Sequence, residues 1–233
     1  MHWVGTSGFQ YPEWKGKFYP PDLSAQKMLP FYAQVLSTTE INYSFRRIPS
    51  ESTISKWAGA TSTHFKFSFK APQRITHFAK LVNCQETLEV FLKAIASMDQ
   101  KLGVVLFQLP PQFKKDAGRL TDFLPLLPRG TKCTFEFRHE SWFDDEVFSL
   151  LDRHNVALCI AENEELQTPK ISTADFGYLR LRREDYTPKQ LREWAEWVEL
   201  QERWREAFLY FKHEETAVGP NFATAFMKML RGD

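Results

Sequence analysis

Short apolar runs with a period of two alternate along this chain with longer stretches whose apolar residues recur every three or four positions. Eight runs read as strands: residues 2–7 (HWVGTS), 38–45 (TTEINYSF), 64–71 (HFKFSFKA), 103–109 (GVVLFQL), 132–138 (KCTFEFR), 156–162 (VALCIAE), 176–182 (FGYLRLR) and 206–212 (EAFLYFK). Helical spacing fills most of the gaps. Residues 24–36 carry Ser24 as a cap, then Met28, Leu29, Tyr32 and Val35; residues 50–59 open on Ser50 and Glu51. Residues 85–99 put Leu88, Phe91, Leu92, Ile95 and Met98 on one stripe, and residues 141–153 start at Ser141. Residues 187–204 open on Thr187–Pro188, a cap followed by proline in the first turn, and place Trp194, Trp197 and Trp204 on one helix; a last helix covers 220–230. Two connections are poorer. Residues 114–128 have room for a short helix at best, bounded by Pro125 and Pro128, and residues 163–175, with Pro169 in the middle, predict a loop.

Strands alternating with helices predict parallel β/α units, closed either as an open doubly wound sheet or as a barrel. Side-chain parity chooses between them. Phe65, Phe67 and Phe69 oppose Lys66, Ser68 and Lys70; Phe135 and Phe137 oppose Glu136 and Arg138; Leu179 and Leu181 oppose Tyr178, Arg180 and Arg182. In the same way Leu209 and Phe211 oppose Tyr210 and Lys212, and Ile41, Tyr43 and Phe45 oppose Glu40, Asn42 and Ser44. A sheet covered by helices on both faces reads as continuous apolar runs, and these runs do not. A closed barrel accounts for them, with apolar faces toward the helices and polar faces toward the lumen. The expected fold is α/β: one degenerate (β/α)8 TIM-type barrel over residues 1–233, the helix between strands 6 and 7 missing or very short.

Composition narrows the function classes. A formal net charge of +1 supplies no global field for nucleic acid or membranes, so any such attraction must be local. Cys84, Cys133 and Cys159 are too few and too scattered for a disulfide framework, which points to a reducing compartment. The amino-terminal residues lack a signal-peptide pattern and no apolar run has membrane-spanning length, so a cytoplasmic location is expected.

The stretches VGTSGFQYPEWKGKFYP (4–20), EINYSFRRIP (40–49), FKFSFKAPQRITH (65–77), LFQLPPQF (106–113) and FEFRHESWF (135–143) together resemble the YecE-like family, domain of unknown function number 72. The resemblance runs from Val4 to about Ala223 and implies a degenerate TIM-type barrel; it implies no particular reaction. Relative to the family pattern, Phe45-Arg46-Arg47, Leu181-Arg182-Arg183 and Phe211-Lys212-His213 are more cationic here.

The candidate chemistry lies at the carboxyl ends of the strands, where such barrels build their sites. Lys70, Arg138, Arg180, Arg182 and Lys212 stand on polar faces against only Glu40 and Glu136, an excess of cations suited to a phosphate or carboxylate. The bland alternative is that these groups pair with one another to fill the barrel, Glu136 with Arg138 and Glu40 with Lys70. Glu40 and Glu136 are the candidate acid–base groups; Asn42, Gln108, His139 and Tyr210 complete the expected ligand-binding set, and His213 follows the last strand. Trp14, Tyr19, Phe45 and Trp142 are candidates for stacking on a sugar or base, or else they close the core. With six histidines and no pair at metal-binding spacing, neither a metal nor a cofactor is expected. The partner is therefore an anionic small molecule or a phosphate backbone. The functional classes left open are an enzyme on a small anionic substrate (a hydrolase or an isomerase), a nucleic-acid-binding or -processing barrel, and a ligand-binding module without turnover.

Overall fold

The computed structural model describes residues 1–162, 167–212 and 216–231. Part of the expected loop, residues 163–166, and the expected mouth residue His213 lie outside the described residues. Nine strands form one sheet: β1 (His2–Ser7), β2 (Thr38–Ile41), β3 (Lys66–Lys70), β4 (Leu102–Gln108), β5 (Lys132–Glu136), β6 (Ala157–Leu158), β7 (Ile160–Glu162), β8 (Phe176–Leu181) and β9 (Glu206–Phe211). The order is β6-β5-β4-β3-β2-β1-β9-β8-β7, and each ladder is parallel. The two ends of that order are consecutive halves of one run, joined at Cys159, whose N–H still donates to Phe135 O at 2.8 Å. The sheet therefore forms a nearly closed α/β barrel of TIM type with β6 and β7 sharing one stave.

Eight helices accompany the described strands: α1 (Ala25–Val35), α2 (Tyr43–Arg46), α3 (Glu51–Gly59), α4 (Gln85–Ala96), α5 (Ala117–Phe123), α6 (Asp145–Arg153), α7 (Pro188–Glu199) and α8 (Val218–Arg231). Their starts are set by side chains that satisfy free N–H groups: Ser50 caps α3, Asp116 caps α5 and Asp144 caps α6. Thr187 and Gln190 form a reciprocal capping box at α7. Between β7 and β8 the described residues 167–175 hold no helix.

Two hydrophobic layers result. Outside the barrel, Phe67 and Phe69 of β3, Phe107 of β4, Phe135 of β5 and Phe211 of β9 are fully buried against the helices. Each such ring contributes roughly 1.5–3 kcal/mol of burial. Inside, a second cluster of Trp3, Val104, Leu106, Ala157, Cys159, Phe176, Tyr178, Phe208 and Tyr210 fills the lower lumen. Among the described residues the lumen is thus mainly apolar below, with a few bonded hydroxyls, and charged only near the carboxyl ends of its strands, a gradient that parity alone does not carry.

Three expected elements shift. The strand expected over 38–45 stops at Ile41, because Ser44 Oγ bonds Ile41 O (3.1 Å) and Lys70 O (2.7 Å) and folds Tyr43–Arg46 over the rim. Ser141 falls in a 3-10 turn, Glu140–Trp142, and the helix after it starts at Asp145. The helix expected over 187–204 ends at Glu199, so Trp204 lies beyond it, its ring against the Cα of Gly177 where any side chain would collide. His77, in a stretch the periodicity leaves unassigned, sits on one turn of π-helix, Arg74–Phe78.

Candidate functional site at the carboxyl end of the barrel

β1 and β5 end on Ser7 and Glu136, and Glu40 and Arg180 each stand one residue before the ends of β2 and β8. Parallel register brings these groups to one level: Ser7 pairs with Glu40, Gln108 with Glu136, and Arg180 with Tyr210. Arg180 crosses the lumen. One terminal nitrogen donates to Glu136 Oε2 and the other to Glu40 Oε1 at 2.7 Å, so a single guanidinium brackets carboxylates from β2 and β5. Glu40 also accepts from the Ser7 hydroxyl and from Tyr178 Oη at 2.6 Å. Glu136 in turn accepts from Arg138 Nε at 3.0 Å and from Arg182 at 3.4 Å. Glu40, Glu136 and Arg180 are buried, whereas the side chains of Arg182 and Arg138 are 11% and 31% exposed. Charge thus runs outward, from an enclosed Glu–Arg–Glu bracket to two arginines that meet solvent.

The electrostatics follow from this geometry. Burial alone would raise the Glu136 pKa, but Arg180 and Arg138 outweigh it and hold the carboxyl below its ordinary value. Arg180 is opposed by burial and held protonated by Glu136 and Glu40. Burial, then Glu40, pushes Tyr178 up, which keeps its hydroxyl as a donor. Lys70, at the end of β3, behaves differently. Among the described residues its ammonium makes no ion pair or hydrogen bond, and it lies 4.0 Å from the centre of the Phe45 ring. Burial and Arg180 lower its pKa to about 8, against the opposite pull of Glu136 and Glu40. His77 stands edge-on to that ring, with centroids 4.9 Å apart, and burial, Lys70 and Arg138 hold its pKa below the ordinary value.

The structure therefore brings together Glu40, Glu136, Arg138, Arg180 and Arg182, with Lys70 beside them. Asn42 joins through its amide, which donates to Ser7 Oγ at 2.9 Å; its Oδ1 is buried without a partner among the described residues. Gln108 is buried next to Glu136 in register, and Lys212 directly follows β9. The anticipated Glu40–Lys70 pair does not form, because Arg180 takes Glu40. Tyr210 pairs with Arg180 in the ladder, but its hydroxyl is bonded to Ser68 (2.7 Å) and Thr38 (2.9 Å) and not to the carboxylates. His139 Nδ1 caps the turn after β5 by accepting from Ser141 N at 3.1 Å. Of the aromatic candidates, Trp14, Tyr19 and Trp142 are fully buried and only Phe45 reaches the rim. Among the described residues no three His, Cys, Asp or Glu side chains converge as a metal site requires. Tyr178 and His77 were not foreseen as site groups. Tyr178 shares the inward face with Arg180 two residues on and was findable by parity; the π turn that places His77 left no periodic signal.

The barrel fold is matched in known proteins. A DUF72 family protein of Thermotoga maritima superposes with a TM-score of 0.87 at 27% identity, covering 99% of both chains. A DUF72 family protein of Enterococcus faecalis gives a TM-score of 0.83 at 17% identity over 99% of this chain and 96% of that one, a likeness of fold. The UPF0759 protein YecE of Escherichia coli strain K12 is 26% identical over 144 residues, 61% of this chain and 50% of YecE, so the match spans half the length of that relative. The model of the family described as "Protein of unknown function DUF72" matches residues 3–233, and the chain belongs to that family.

Proposed function

We propose that this protein is an enzyme acting on a small phosphate- or carboxylate-bearing substrate, held at the carboxyl-end mouth of the barrel for isomerisation or hydrolysis. One observation carries the reading: three arginines converge on the single carboxylate of Glu136, and beside them Lys70 makes no ion pair among the described residues. Two carboxylates cannot balance four cations, and a charge surplus in a partly dehydrated mouth favours an added anion. Arg138 and Arg182 are the groups that reach solvent, and their planar forks suit bidentate oxyanion binding. Asn42 Oδ1 supplies an acceptor at the same level. Of the two carboxylates, Glu136 is the one whose partners meet solvent; its lowered pKa suits it to accepting a proton weakly rather than donating one. Glu40, closed in by three donors, fixes Arg180.

Calorimetric titration with inorganic phosphate and pyrophosphate tests the reading. Wild-type protein should bind, and Arg138→Ala should weaken binding about tenfold or more, the worth of one charge-assisted hydrogen bond. Equal affinity in both, or no binding by the wild type, would count against the anion site. Arg180→Ala is a poorer probe, since it strands two buried carboxylates.

A further inference from the structure

We propose that Lys70 is an amine nucleophile, which condenses with the carbonyl carbon of a small 2-oxo acid or phosphorylated carbonyl compound to form an imine at the mouth of the barrel. The proposal rests on the anion reading above and names a substrate class for it: a molecule carrying both an oxyanion and a ketone or aldehyde.

The first ground is geometric. Arg138, Arg180 and Arg182 are all committed to Glu136, yet Lys70, at the end of β3, has no hydrogen-bonding or ionic partner among the described residues. It is not a stray surface lysine. It is only partly exposed, its backbone carbonyl is fixed by Ser44, and its ammonium is seated on the Phe45 ring. An aliphatic stem held in place with a free amine end is the arrangement a nucleophilic lysine needs. Arg138, one of the charges acting on Lys70, would anchor the anionic end of the substrate together with Arg182.

The second ground is chemical. The charged groups acting on Lys70 are Arg180 and Arg138, Glu136 and Glu40, with His77 across the Phe45 ring. Burial and the two arginines prevail, so the amine titrates at about 8. At pH 7 such an amine is roughly one-tenth neutral, against about one part in three thousand for an ordinary lysine. The neutral nitrogen adds its lone pair to the carbonyl carbon and the carbonyl π pair moves to oxygen. Both N–H protons then leave with that oxygen as water while the C=N bond forms, so the step consumes no oxidant or reductant. His77, its own pKa depressed, is a neutral base on the same ring suited to relaying those protons.

Reductive trapping tests this. The full chain is incubated with pyruvate or dihydroxyacetone phosphate and sodium cyanoborohydride, and the adduct is located by peptide mass spectrometry. Preference between the two probes separates a carboxylate from a phosphate substrate. The expected result is a secondary amine at Lys70 ahead of every exposed lysine. Its yield should rise through about pH 8, be suppressed by inorganic phosphate and disappear in Lys70→Arg. Labelling scattered over exposed lysines with Lys70 unmodified would overturn the proposal, and site mapping on the wild type gives that answer even if the variant folds poorly. The two readings fail separately. If Arg138→Ala weakens phosphate binding while Lys70 stays unlabelled, the nucleophile is wrong and the anion site stands. If neutral acetaldehyde labels Lys70 as well as pyruvate does, and Arg138→Ala changes nothing, the nucleophile stands and the anion site falls.

Discussion

At the residue scale, Lys70 sets functional chemistry against stability. A lysine whose folded pKa falls from 10.5 to about 8 binds its proton more weakly in the native state than in the unfolded one. The sign follows from linkage. Between about pH 8 and pH 10.5 the unfolded chain carries more protons, so this group's contribution to stability rises with pH across that window. Below it the cost is fully present. Lys70→Met should therefore stabilise the protein at pH 7, by about 1–3 kcal/mol on the scale of 1.36 kcal/mol per pKa unit. Urea unfolding at pH 7 and pH 10 checks this: the gain should shrink at the higher pH, and a variant less stable than wild type at both would mean the ammonium is held by favourable contacts. The carboxylates of this layer were legible in sequence as inward, charged and close to strand ends. Which cation each would take was not. Arg180 reaches both Glu40 and Glu136 across the lumen, and such a distance between staves is a property of closure that no local pattern encodes.

At the scale of elements, the close approach of β1 to β2 controls where Ser7 meets Glu40. A Cβ on Gly5 would stand 1.8 Å from Thr38 O and 2.9 Å from Tyr32 Oη, and backbone cannot yield as a flexible side chain can. Gly5→Ala should force β1 and β2 apart and break the Tyr32 Oη bonds to Thr6 N and Thr38 O. A loss above about 3 kcal/mol is expected for overpacking joined to broken buried hydrogen bonds. Thermal denaturation measures it, and a variant within a degree or two of wild type would mean the strands can separate freely. Element boundaries illustrate what local pattern can carry. The capped starts of α3 and α7 were readable because the capping side chains are adjacent in sequence. The end of β2 was not, since Asn42–Phe45 keep strand-like alternation while Ser44 is drawn onto the Lys70 carbonyl, 26 residues away. That one long-range bond places Phe45 over the amine.

At the scale of the whole molecule, parity along the strands was enough to predict a barrel, because the helices need one apolar face wherever the chain places it. It did not predict the apolar lower lumen, where Trp3, Phe176 and Phe208 interrupt the polar face as the interior fills. The consequence is that charge is confined to one end. A chain of net charge +1 has no long-range field, so attraction for an anion arises within about one Debye length of the mouth, roughly 10 Å at 0.1 M salt. A small ligand seated on Arg138 and Arg182 displaces few counterions. Its affinity should fall with a log–log salt slope of about one or two. A single strand of nucleic acid neutralising several phosphates would give about 0.7 per phosphate contacted. Measuring pyrophosphate and a single-stranded oligonucleotide over the same salt series separates the two partners. A shallow slope for pyrophosphate with no competition from the oligonucleotide is expected. Trp14 and Trp142, the aromatics that sequence offered for base stacking, are buried and leave the rim with charge but little stacking surface. An oligonucleotide that displaces pyrophosphate with a slope of three or more would make the mouth a phosphate-backbone site instead, because only several simultaneous contacts release that many ions.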